Sequence, residues 1–156
     1  MDLLWQELTT GFPDRTRLAI VSIRLIAAVL LGGFLGIERE RVGKPAGLRT
    51  HTIVCLATTL VVLACTEVKM SPDGLSRVIQ GIVTGIGFVG AGSILKLSEQ
   101  REIKGLTTAA GLWMTAIIGI AVGLGALGLA VIGTVLTLLV LVLEHVVDSH
   151  ITHKKN

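Results

Sequence analysis

The sequence predicts an all-α fold: a polytopic membrane bundle of about five transmembrane helices. Three observations carry the prediction. Just over half of the 156 residues are hydrophobic (51%) and only 16% are charged, whereas a soluble domain carries about a quarter charged residues. The charges gather in residues 1–17, 38–49, 67–77, 96–104 and 144–155, and the runs between them hold almost none. Those runs have the length, about 20 residues, needed to cross the hydrocarbon core of a bilayer.

The elements follow in order. Residues 1–17 open with MDLLWQELTTGFPD, acidic and without the basic region of a cleavable signal peptide. Leu3, Leu4, Trp5 and Leu8 have helical spacing, so the segment is read as lying along the interface or as an ordinary lead-in to the first helix. The first span covers 18–37, interrupted only by Arg24. The second covers 50–66, uncharged. The third is placed at 78–97 and contains a glycine motif. The 39 residues from Gly105 to Leu143 carry no charge, too long for one crossing and right for two. Gly123, Gly125 and Gly128 mark the reversal, giving spans near 106–124 and 126–144. The membrane domain is thus 18–144, followed by a tail over 145–156 that is expected to lie in the cytoplasm.

Orientation follows from Lys and Arg in the short loops. One side holds Arg15, Arg17, Lys69 and Arg77. The other holds nine: Arg39, Arg41, Lys44, Arg49, Lys96, Arg101, Lys104, Lys154 and Lys155. The richer side is expected to be cytoplasmic, which puts the N-terminus outside.

Gly85, Gly87 and Gly90 have the G-x-G-x-x-G spacing of a dinucleotide-binding turn, but that turn belongs between a strand and a helix in an alternating strand-helix pattern. No such alternation exists here. In lipid, glycines instead let helix backbones approach. Gly32 with Gly36, Gly81 with Gly85, and Gly119 with Gly123 each form G-x-x-x-G, and Gly111, Thr115, Gly119 and Gly123 form a one-per-turn stripe. Gly87, Gly90 and Gly92 add to the third span. Spacing does not separate contacts within one chain from contacts between chains; contacts within the chain are expected.

Polar residues mark both membrane boundaries. Arg24 lies about two turns into the first span, where an arginine is costly. It either snorkels outward or pairs with Glu67 or Asp73. Asp73, in S-P-D-G, also suits a helix start, and Arg77 follows one turn later. At the other boundary Glu38, Arg39, Glu40 and Arg41 form a cluster, and Arg49 is close enough in sequence to neutralise Glu38. Thr50 or Thr52 is placed to cap the second span. Thr107 and Thr108 are expected to cap the fourth, with a hydrated cation as the other use of their oxygens. In the tail, Glu144, His145, Asp148, His150 and His153 read as a solvated helix end. The alternative is a soft metal shared by His150 and His153; Mg2+ takes oxygen ligands instead. Cys55 and Cys65 sit about 15 Å apart along one helix and cannot bond to each other within it. No catalytic set, no bound cofactor and no basic surface suited to nucleic acid is read. The lipid bilayer itself is the first partner.

Four segments together resemble the MgtC/SapB family of bacterial inner-membrane proteins: RLIAAVLLGGFLGIERE from Arg24 to Glu40, AGLRTH from Ala46 to His51, GIGFVGAG from Gly85 to Gly92, and GLTTAAGLW from Gly105 to Trp113. The resemblance runs from about Arg24 to Gly125. It implies a helical domain of four or five spans in the cytoplasmic membrane, here in a short form without the soluble C-terminal domain of better-known members. It implies a role tied to magnesium limitation and virulence, through regulation of another membrane protein such as the ATP synthase, or through transport of Mg2+ or another small solute. Homo-oligomers fit either role. The family's motif positions fall on Arg24, Glu38, Arg39, Arg49, Thr50, His51, Asp73, Arg77, Gly85, Gly87, Gly90, Gly92, Thr107 and Thr108.

Overall fold

A computed structural model describes residues 15–97 and 102–153. Five helices, each long and apolar enough to span a membrane, make up the fold: α1 (Arg15–Arg41), α2 (Leu48–Glu67), α3 (Pro72–Gly92), α4 (Leu106–Gly123) and α5 (Leu127–His153). Among the described residues, the one departure from all-helical structure lies between α3 and α4. There β1 (Leu95–Leu97) pairs antiparallel with β2 (Glu102–Lys104), Leu95 opposite Lys104.

Each helix begins and ends for a local reason. α1 stops where Gly43 takes a left-handed φ of 68°, so that the amide of Lys44 reaches back to the Arg39 carbonyl at 3.0 Å. Pro45 follows. α2 starts at Gly47 with no capping side chain of its own; the Glu40 carboxylate accepts from the Leu48 amide at 2.8 Å instead. Neither Thr50 nor Thr52 caps this helix, because both lie inside its first turns. α3 starts six residues earlier than the apolar run suggests. Ser71 caps it by accepting from the Gly74 amide at 3.2 Å, Pro72 fits the first helical position, and Asp73 complements the dipole in the first turn. It also ends earlier, at Gly92 rather than 97, because the chain turns into the hairpin. α4 follows Gly105, whose φ of 98° and lack of a side-chain cap show that Thr107 and Thr108 do not serve as caps. At its far end Gly125, at φ 85°, turns the chain directly into α5.

α4 is the centre of the bundle: 11 of its 18 residues are buried. α1 and α2 pack closely on each other and both contact α4. Glycines make this possible. A Cβ on Gly36 would lie 2.5 Å from the Leu48 Cα, one on Gly32 2.8 Å from the Cys55 Cβ, and one on Gly123 2.6 Å from the Val62 Cβ. A Cβ on Gly119 would meet the Thr58 hydroxyl and lie 2.5 Å from the Cys55 carbonyl oxygen. The approach also allows hydrogen bonds between helices: Thr59 Oγ1 donates to the Gly119 carbonyl at 2.9 Å. Cys55 and Cys65 are buried and free.

α3 stands apart. Only Ile86 and Gly90 of its 21 residues are buried, and Gly90 faces Ala109 of α4. Gly81, Gly85, Gly87 and Gly92 meet nothing within 4 Å. The expectation that these four pack within the chain is therefore corrected: the glycines of α1 and α4 face partners, and those of α3, apart from Gly90, do not.

Candidate functional site

The most structured polar site lies where the C-terminal end of α1 meets the start of α4 and the outer part of α5. At its centre Arg39 is 0% exposed. Its Nη2 donates to Glu38 Oε1 at 2.7 Å, with a second, short bond from Nε to Glu38 Oε2. Nη1 reaches Glu144 Oε2 at 3.4 Å, and Nη2 the Leu141 carbonyl at 3.5 Å. The other oxygen of Glu144 accepts from Thr107 Oγ1 at 2.9 Å and lies 3.7 Å from Lys44 Nζ. Two cations and two carboxylates balance. A buried charge in a membrane persists only when paired, and the planar fork of arginine suits two carboxylates at once. One network thus ties α1, α4, α5 and the α1–α2 loop.

Next to it lies a second buried feature. His51, also 0% exposed, stands in the first turn of α2, and its Nδ1 is 2.7 Å from Thr115 Oγ1 of α4. The Thr115 hydroxyl donates its proton to the Gly111 carbonyl at 2.8 Å. It must therefore accept from His51, which places the imidazole proton on Nδ1 and leaves Nε2 an acceptor. That Nε2 and the Thr52 hydroxyl are buried without a hydrogen-bond partner. Gly111 lies against the ring, where a Cβ would sit in ordinary contact at 3.5 Å from His51 Cε1.

At the opposite end of the bundle, Arg24 Nη1 donates to the Gly123 carbonyl at 2.9 Å. Arg24 pairs with neither Glu67 nor Asp73. Glu67 is engaged by Arg17 at 3.3 Å, and Asp73 is exposed on α3. The guanidinium instead covers a free carbonyl at the C-terminus of α4, where the helix dipole is negative. Glycine suits position 125 because its φ is positive, and a Cβ there would also displace the Arg24 guanidinium.

The structure thus brings Glu38, Arg39 and Thr107 together, with Thr108 buried beside them. Arg49 does not join. It is exposed, and Glu38 is neutralised by Arg39, its neighbour in sequence. Asp73 and Arg77 are exposed at the other end. His51 was marked only through the family resemblance, and Lys44, Glu144 and Thr115, the partner of His51, were not legible as site residues. Glu144 does not belong to a solvated tail; its signal was its place as the first charge after a 39-residue neutral run. Of the interfacial segment expected over residues 1–17, Arg15, Thr16 and Arg17 begin α1; the rest of it and the side chains of His150 and His153 lie outside the described residues. Among the described residues no three His, Cys, Asp or Glu side chains converge to hold a metal.

Five apolar helices of spanning length, closed around buried ion pairs, define a multi-pass membrane protein. The MgtC family matches residues 25–150, and the chain belongs to that family. It is 41% identical over 132 residues to Protein SrpB of Synechococcus elongatus, covering 78% of this chain and 72% of that one. It is 41% identical over 142 residues to YhiD of Escherichia coli K12, described as a candidate magnesium transporter, covering 85% of this chain and 64% of that one. It is 42% identical over 116 residues to Protein MgtC of Salmonella typhimurium, covering 74% of this chain and 48% of that one. No solved structure matches the chain.

Proposed function

We propose that this protein is a non-enzymatic regulator of the bacterial inner membrane that docks a transmembrane helix of another protein on α3. The observation that carries this reading is the bare face of that helix. Gly81 and Gly85 have nothing within 4 Å of where a Cβ would sit, and Gln80, Thr84 and Phe88 beside them are exposed. Gln80 lies eight residues into α3, about 12 Å along the axis, and has no hydrogen-bond partner among the described residues. An unpaired amide facing lipid is unfavourable, and a neighbouring helix is what satisfies it. Small residues beside a polar one make a contact face for such a helix.

The same geometry weighs against a transport path. Arg24 is committed to the Gly123 carbonyl and Asp73 is exposed on a different helix, so the two do not line a common polar channel. The resemblance to the MgtC family supports a link of this regulator to magnesium limitation, membrane energetics and virulence, with the ATP synthase as the first partner to examine. Mg2+ enters as the physiological signal.

Affinity capture from native membranes tests the reading. Gly85→Leu and Gln80→Leu should each lower partner recovery about tenfold, the equivalent of the roughly 1–2 kcal/mol of one interhelical polar contact, with insertion unchanged. Undiminished recovery by both variants would falsify the proposal.

A further inference from the structure

Independently of α3, a groove of about 550 Å3 runs between α1 and α5 at the end carrying the buried ion pairs. Its walls are Phe34 and Ile37 of α1, Val42 just beyond it, and Leu138 and Val142 of α5. Phe34 and Val142 are 55% and 50% exposed, so the chain itself does not cover them. At the outer end of the groove stands Arg41, the last residue of α1. Glu38 also borders it, but both of its oxygens are taken by Arg39. Arg41 is exposed and makes no ion pair among the described residues. The groove therefore presents a single uncompensated cation above an apolar trough.

We infer that this groove is a binding site for one anionic phospholipid, its acyl chain in the trough and its phosphate on Arg41. The dimensions agree. Phe34 lies seven residues below Arg41, about 10 Å deeper along the helix axis. The trough is long enough for the upper part of one acyl chain, the remainder lying among the surrounding lipid. The Arg41 guanidinium sits where the last turn of a spanning helix meets the headgroups, and its fork matches two phosphate oxygens. Charge selects the headgroup: with Arg39 and Lys44 already balanced by Glu38 and Glu144, Arg41 is free to take a net negative one. The bound lipid would bridge α1 and α5, which are otherwise joined at this end chiefly by Arg39.

The test uses the full chain in mild detergent, with bound lipid counted by native mass spectrometry after adding phosphatidylglycerol, phosphatidylcholine or inorganic phosphate. Wild type should retain one phosphatidylglycerol in preference to phosphatidylcholine. Arg41→Gln, an exposed change that leaves the fold intact, should lower that preference about fivefold, the effect of one basic residue at an anionic surface. Val142→Trp, which fills the trough, should reduce retention of both lipids while circular dichroism shows unchanged helicity. Arg49→Gln, an exposed arginine of the same end, should bind as wild type. Retention unaltered by Arg41→Gln and Val142→Trp overturns the inference. So does an equal loss in Arg49→Gln, which would mean diffuse attraction, or displacement of the lipid by inorganic phosphate alone.

Discussion

Arg39 and Arg49 show how unlike two arginines of one cluster are. Both lie at the same membrane boundary, and from the sequence Arg49 was the natural partner for Glu38. The structure buries Arg39 completely between Glu38 and Glu144 and leaves Arg49 exposed. Removing one member of a buried pair strands the charge that remains, at about 3–5 kcal/mol. Arg39→Ala is therefore expected to lower the thermal midpoint in detergent sharply, since Glu38 loses its counter-ion and Glu144 keeps only Lys44. Arg49→Ala should change stability by less than about 0.5 kcal/mol, as exposed substitutions do, and leave the midpoint nearly in place. Similar midpoints for the two variants, read by loss of the monomer peak on heating, would contradict the assignment. Arg39 was legible as a motif residue, but its partner Glu144 lies 105 positions away in the chain, beyond what spacing can relate.

At the scale of the helix, the same sequence pattern has two outcomes. Gly81–Gly85 and Gly119–Gly123 are both G-x-x-x-G, yet only the second is used inside the chain. A side chain on Gly119 would meet Thr58 and the α2 backbone, whereas one on Gly85 would meet nothing. Gly119→Leu should therefore disrupt the α2–α4 contact, with a loss of about 3 kcal/mol or more from overpacking against a backbone that cannot yield. Gly85→Leu should fold as wild type and impair only capture of a partner. Size-exclusion profiles of the two purified variants separate these outcomes; an aggregated Gly85→Leu with a monodisperse Gly119→Leu would reverse the reading. The third helix also shows how far local signals reach. Its existence was plain from hydropathy. Its limits were set by Ser71, Pro72 and the hairpin after Gly92 rather than by the edges of the apolar run, because a charge-bearing first turn fits the headgroup region.

For the whole molecule, α1, α2 and α4 form a tightly packed unit, with α3 and α5 at its margins. The buried and half-buried polar groups Arg24, Arg39 and Glu144 are engaged in holding the bundle together, Arg24 on a helix terminus, Arg39 and Glu144 between helices. Purified protein in liposomes should accordingly show no Mg2+ influx above empty vesicles with a fluorescent indicator inside. Influx abolished by Arg24→Ala would revive transport and displace the regulator.

Hydrophobicity alone determined the number of spans and their approximate places, because the free energy of inserting a helix into lipid is a sum over its own residues. The family was equally legible, being carried by four local motifs. Which carboxylate meets which arginine, which glycines face a neighbour, and that His51 is buried against Thr115 were decided only by the tertiary structure. Those outcomes depend on the rotation and relative depth of helices joined by short loops, and a turn of one residue, about 100° of helix, exchanges a packed face for a bare one.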